Sequence, residues 1–251
     1  MKRALYDLTD EEFAFFVNNF GKQMDESQIP YILVGGAAIQ AHIIKRGCTK
    51  TGKTVEQIVA DPNIRVQDFI RATDDVDVAL DPSIGEMGFS YFSRKMREVL
   101  EKLESEHISP SEEHIFRYHL MRKGVKRPVF QIYVDEETND EQIISMNVSK
   151  DKSDLYNLDP SYYEKFVKEG QDISIPYSST FSLDLRVIKP EHLLATKISR
   201  FRAKDAMDIH VLADCMKENG EKIDLQEIEQ ILLPNYEDNY DKFLRLIQAE
   251  E

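Results

Sequence analysis

Arg71-Ala-Thr-Asp-Asp-Val-Asp-Val-Ala-Leu80 decides the reading of this chain, because from Asp75 onward acidic and aliphatic side chains alternate with the period of a β-strand. On such a strand Asp75 and Asp77 project from one face and Asp74 from the other. Two carboxylates held side by side repel unless a cation lies between them, so the pair suits a divalent ion and, with it, a polyphosphate. Taken alone, the pattern also fits a solvated strand edge, where charge discourages pairing with other chains. Upstream, Tyr31-Ile-Leu-Val34 is a short apolar run ended by Gly35-Gly36, and 37–44 suits a helix, which implies a strand-turn-helix unit. Glycines there allow close approach of the backbone to a ligand, and the first N–H groups of the helix can receive phosphate oxygens. The two motifs together raise the acids above a mere strand edge.

The chain has 251 residues, of which 41% are hydrophobic and 31% charged, enough to bury a sizeable core. Lys and Arg total 32 against 46 Asp and Glu, a net charge of -14 that excludes a general nucleic-acid coat and makes any RNA or DNA contact local. The basic clusters Arg94-Lys95 with Arg97, Arg122-Lys123 with Lys126-Arg127, and Arg200, Arg202 and Lys204 are each best read as solvated faces. The opening MKRALYDLTDEEF carries acids where a secretory signal needs an apolar run, and no segment has the length of a membrane span. A cytoplasmic protein without a membrane partner is therefore expected. Cys48 and Cys215 lie far apart and outside any C-x-x-C pattern, as reduced thiols do.

Elsewhere the periodicity predicts an amphipathic helix over 9–24 through Phe13, Phe16, Val17 and Phe20, and an insertion over 45–72. A helix marked by Phe92, Met96, Val99, Leu100 and Leu103 follows the Val76–Leu80 strand. Three extended stretches at 115–121, 129–134 and 143–148 read as antiparallel. A helix at 162–168 and strands at 173–175 and 183–187 complete this part. From Lys189 the pattern turns helical, with Pro190 placed for a first turn, then Leu194, Ile198 and Phe201, and further helices near 205–218, 225–233 and 237–249. The expected class is α+β: a mixed sheet flanked by helices over 1–188, followed by a C-terminal helical bundle over 189–251.

Val34-Gly35-Gly36 followed by Asp75-Val76-Asp77-Val78 resembles the signature of the DNA polymerase beta superfamily of nucleotidyltransferases, in which a strand ends in G-G or G-S and the next carries D-h-[DE]-h. Within it, R-x-T-x-D-h-D at Arg71–Asp77 is most similar to the AbiEii-type group, associated with abortive infection and toxin–antitoxin pairs. Lys189-Pro-Glu-His-Leu-Leu-Ala-Thr-Lys197 with Arg202-Ala-Lys-Asp205-Ala-Met-Asp208 is similar to that group's late Lys and Asp motifs. The resemblance implies a nucleotidyltransferase-type sheet and transfer of a nucleoside monophosphate from an NTP to an acceptor hydroxyl, with Mg²⁺ or Mn²⁺. On that basis Asp75 and Asp77 hold the metal and Gly35 and Gly36 cradle the triphosphate; Thr73, on the face of the two acids, could offer its hydroxyl to a phosphate, with a plain strand threonine the simpler reading. Lys197 then neutralises the triphosphate and the departing pyrophosphate. Read as one continuous helix, 197–208 returns Asp208 to the face of Lys197, where it could orient that Lys or the attacking hydroxyl; Asp205 is the alternative, and a surface Lys-Asp ladder is the plain reading. A third carboxylate is implied on a strand beside the pair, with Asp135 the candidate and Glu136 the alternative. The implied acceptors are RNA such as a tRNA end, a protein or a small molecule, and the implied setting is a toxin with a cognate antitoxin.

Gly47-Cys-Thr-Lys-Thr-Gly52-Lys53-Thr54 also satisfies the P-loop pattern G-x-x-x-x-G-K-[ST]. A working P-loop follows a buried strand, whereas 40–46 reads as the tail of the helix opened by Gly35-Gly36, so a basic loop is the better reading. His114 and His119 fall on opposite faces of a strand, and His42, His192 and His210 stand alone on helices, with no metal cluster among them. Two other functions compete with transfer: an inactive relative of the fold that binds or regulates through its C-terminal helices, and a P-loop NTPase dependent on Lys53.

Overall fold

The computed structural model describes residues 7–64, 70–71, 75–80, 94, 98, 115–122, 128–135, 145–149, 158, 160–233 and 235–248. Asp10 caps helix α1 (Glu11–Glu26), its carboxylate accepting the Phe13 N–H at 2.9 Å. Phe13, Phe16, Val17, Phe20 and Met24 are buried, which lays one apolar face of α1 against the sheet. Strand β1 (Tyr31–Val34) is buried at all four positions, as a strand with neighbours on both sides must be. It passes straight into α2 (Gly35–Thr51), which runs well past the expected Ile44 and ends where Gly52 adopts a left-handed conformation. Helix α3 (Val55–Ala60) follows, closed by a reciprocal capping box between Thr54 and Gln57. Much of the expected insertion is thus ordered helix.

Among the described residues, five strands form one sheet in the order β5-β2-β1-β7-β6. Here β2 is Asp75–Leu80, β5 Ser145–Ser149, β6 Gln171–Pro176 and β7 Ser182–Val187. Strand β1 runs antiparallel to β2, in the register Val34↔Asp77, and parallel to β7. Strands β3 (Ile115–Arg122) and β4 (Pro128–Asp135) pair antiparallel as expected, in a two-stranded ladder of their own. Strand β5 departs from the expectation: it pairs parallel to β2, Asp77 facing Asn147. Local alternation carries no information on strand direction, which the long return of the chain sets. The helix expected around Phe92–Leu103 lies outside the described residues, apart from the helical positions Arg94 and Glu98.

Helix α4 (Pro160–Lys168) leads into the β6-β7 hairpin, and among the described residues four helices follow it: α5 (Pro190–Arg200), α6 (Ala203–Glu218), α7 (Leu225–Leu232) and α8 (Glu237–Gln248). Every residue of α5 from His192 to Ser199 is buried, because α2, α6, α7 and α8 all pack on it. Leu185 and Val187 on one side of Lys189, and Leu193 and Leu194 on the other, share one buried cluster. Among the described residues no helix is long and apolar enough to cross a membrane.

His42, on α2, is fully buried and donates from Nε2 to the Ile188 carbonyl at 2.7 Å, fastening α2 to the end of β7. Burial pushes its imidazole down to about 4. The unfolded chain therefore takes up the proton first as pH falls, and stability present above pH 6.5 is lost between there and pH 4. That loss is expected to reach about 3 kcal/mol. Denaturation midpoints measured from pH 7 to pH 4 should show a shallower decline for His42→Gln than for the parent.

Candidate active site

The end of β1 and the start of α2 form a turn that only glycine fits. Gly35 has φ +67, and a Cβ built on it would lie 2.9 Å from Asp77 Cβ and 3.0 Å from Asp77 Cγ. The register Val34↔Asp77 makes this contact, since it sets Asp77 beside the residue that precedes the turn. The carboxylate of Asp77 thus lies over the opening of α2, where Val34 offers no side-chain cap. The open end of a 17-residue helix attracts anions through its first N–H groups. Asp75 opens β2, its backbone paired with Ser145, two positions from Asp77. Thr73 and Glu136 lie outside the described residues. Asp135 ends β4, in the separate ladder, whereas the strand hydrogen-bonded beside the acid pair is β5, Ser-Met-Asn-Val-Ser, without a carboxylate.

Lys197 and Asp208 do come together, but not on one helix. In a continuous helix, 11 residues span about 16 Å along the axis, too far for contact. The chain instead breaks at Phe201, which takes a left-handed conformation with φ 40 between α5 and α6. The break folds Lys197 Nζ onto Asp208 Oδ2 at 2.7 Å, with Asp205 Oδ1 at 3.7 Å. All three side chains are buried. Arg202 closes one end with two bonds to Asp205, at 2.6 and 2.9 Å. Arg71 closes the other, its Nε and Nη2 donating to Asp208 Oδ1 and Oδ2 at 3.1 and 3.2 Å. Burial raises Asp205, but the Arg202 hydrogen bonds and the charges of Lys197 and Arg202 outweigh it and hold the carboxyl below the usual range.

A cavity of about 270 Å³ opens beside the turn, lined by Gly36, Gln40, Ile70, Arg71, Met207 and Asp208 among others. Gln40 is 1% exposed and works at both ends: its Oε1 accepts the Leu8 N–H at 3.0 Å and its Nε2 donates to the Arg71 carbonyl at 2.9 Å. Sequence reasoning passed over Gln40, a polar residue on the buried stripe of α2 and the one local signal available.

Two other candidate sites resolve differently. Gly52 of the P-loop-like motif caps the C-terminus of α2, its N–H bonded to the Cys48 carbonyl at 2.8 Å, and Lys53 pairs with Asp61. The motif joins two helices rather than a strand and a helix. His192, expected to stand alone, lies with Glu169 and Glu227, all three offering ligand atoms within 4.8 Å. Lys189 reaches Glu169 at 2.7 Å and Lys165 reaches Glu227 at 3.2 Å, so both carboxylates already hold cations. His192 Nδ1 finds no hydrogen-bond partner among the described residues, which denies a metal-bound imidazole its usual support. The group reads as an ion-pair clamp joining α4, α5 and α7.

No protein-family model and no curated protein matches the chain. Seven chains of solved structures match it. One is the crystal structure of an antigenic nucleotidyltransferase-like protein from Paracoccidioides brasiliensis, 15% identical, with a TM-score of 0.45 over 97% of this chain and 95% of that one. Another is the solution structure of the antibiotic-resistance factor ANT(2'')-Ia, 11% identical, with a TM-score of 0.43 over 96% of this chain and 98% of that one. At these scores neither likeness bears on what this chain does.

Gly35 and Gly52 share φ +67, yet a Cβ at Gly52 meets nothing within 4 Å. Gly52→Ala is expected to cost about 1–2 kcal/mol through backbone strain alone, and Gly35→Ala about 1–3 kcal/mol more through the clash with Asp77. Urea denaturation of the two variants reads the difference. By the same method Lys197→Met, which strips the buried acids of their shared cation, should lose about 3–5 kcal/mol.

Proposed function

We propose that the chain is a metal-dependent nucleotidyltransferase that moves a nucleoside monophosphate from an NTP to an acceptor hydroxyl. The observation that carries this reading is the Asp77 side chain packed over Gly35 at the opening of α2, so that acid and phosphate cradle meet at one point. The cradle that a Cβ would fill, and the all-oxygen donors Asp75 and Asp77, fit a hard divalent ion such as Mg²⁺ or Mn²⁺. When bound, such an ion neutralises charge on the phosphates and lowers the pKa of the acceptor hydroxyl. The chain's own residues do the rest. The N–H groups at the start of α2 bind phosphate oxygens, and the network around Lys197 and Asp208 holds the Arg71 guanidinium on the wall of the cavity. The acceptor oxygen bonds to the α-phosphorus as the bond to pyrophosphate breaks, and the hydroxyl proton leaves to water or a carboxylate. The AbiEii-like pattern at Arg71–Asp77 supports a toxin role with a cognate antitoxin, and RNA, protein and small molecules all remain within the acceptor class.

Asp77→Asn keeps the shape beside Gly35 and removes the charge. It is expected to lower transfer of α-labelled nucleotide to RNA, protein or small-molecule acceptors by more than about a hundredfold. Labelling equal to that of the parent would remove Asp77 from the chemistry and leave a binding protein of this fold as the account.

A further inference from the structure

Met207 is 58% exposed, the most exposed large apolar side chain among the described residues. One such side chain in water is ordinary, but Met207 does not stand on open surface. It lines the cavity of about 270 Å³ beside the turn, together with Ile39, Ile70 and Val211. Met207 and Val211 lie four residues apart on α6, so they form one stripe along that wall. Ile39 comes from α2, one turn beyond Gly35, and Ile70 from the segment that precedes β2. Two helices and a connecting segment thus bring apolar side chains to a concave wall that also includes Gly36 of the phosphate cradle.

An apolar wall beside a phosphate site suits the uncharged part of a nucleotide. The polar side chains on the same wall are committed to the protein. Gln40 accepts the Leu8 N–H and donates to the Arg71 carbonyl. Both oxygens of Asp208 accept from Arg71, and Oδ2 accepts from Lys197 as well. His210 Nδ1 lies 3.3 Å from a carboxylate oxygen of Asp214. The wall therefore offers contact with the flat face of a ring rather than hydrogen bonds to its edge. A methionine, unbranched and with a polarisable sulfur, packs well on an aromatic face.

We infer that Met207 is the platform on which the base of the nucleotide packs, with Ile39, Ile70 and Val211 completing the wall, and that the base is held by its face and not read at its edge. The inference rests on the nucleotidyl-transfer reading and gives that site a base-binding surface open to all four NTPs.

The test compares inorganic tripolyphosphate with analogues of ATP, GTP, CTP and UTP whose α–β bridge resists cleavage. Binding is measured by titration calorimetry on the full chain with Mg²⁺ present. The parent should bind the four analogues within about tenfold of one another, purines the tighter, as contact without edge hydrogen bonds allows. Met207→Ala, a good helix former at an exposed position, should weaken the purine analogues by roughly 5- to 20-fold and leave tripolyphosphate unchanged. Met207→Leu, which keeps an apolar side chain of similar volume, should restore most of the loss. Leu225→Ala, which trims an exposed apolar side chain on α7, should leave all five affinities as they are. Met207→Ala binding every analogue as tightly as the parent would overturn the inference, as would an equal loss for tripolyphosphate or a spread among the analogues wider than tenfold. A parent that binds none of the five ligands would instead sink the nucleotidyl-transfer reading itself. If Met207→Ala binds normally while Asp77→Asn abolishes transfer, only the role of Met207 falls.

Discussion

The contact between Asp77 and Gly35 is the constraint on which the rest of the site depends. It exists because β1 and β2 pair in one register, Val34 opposite Asp77, and because the residue after Val34 has no Cβ. A slip of one residue would turn Asp77 to the other face of the sheet. The same turn launches α2, and α2 carries Gln40 and His42, which tie it to Leu8, Arg71 and Ile188. Helix, sheet and candidate cavity are therefore located relative to one another from a single tight crossing.

The second organising feature is a charge network that a straight helix could not make. Phe201 in a left-handed conformation turns α5 back into α6 and brings Lys197 against Asp205 and Asp208. Buried ions of this kind rarely stabilise a fold more than apolar side chains of the same volume would, since each is stripped of water. Their retention here is intelligible as a means of orientation. The described part of the network runs from Arg202 near the helix break to Arg71 beside the cavity, so a constraint inside the helical part orients a guanidinium on the cavity wall.

What the sequence reveals and what it hides divide along physical lines. The strand-turn-helix at Tyr31–Thr51 and the alternation through β2 depend on neighbouring residues, and their period is plain in the sequence. So are the C-terminal helices, with their apolar spacing and Pro190 at the start of α5. The parallel direction of β5 was not legible, because a strand's own pattern is the same whichever way it runs. Nor was the break at Phe201, where a non-glycine residue adopts a conformation that no local preference favours. The pairing of Arg71 with Asp208 joins residues 137 apart, a distance across which periodicity says nothing. Spacing alone also left the P-loop pattern open, which the cap at Gly52 and the pairing of Lys53 with Asp61 decide.

The most direct measurement is a crystal of the full chain grown with Mn²⁺ and a nucleotide analogue whose α–β bridge resists cleavage, with anomalous scattering used to find the metal. The account predicts a manganese peak bound by Asp75 and Asp77, with phosphate oxygens on the N–H groups that open α2. A peak confined to Glu169, His192 and Glu227, or a triphosphate bound away from Gly35 and Gly36, would contradict it.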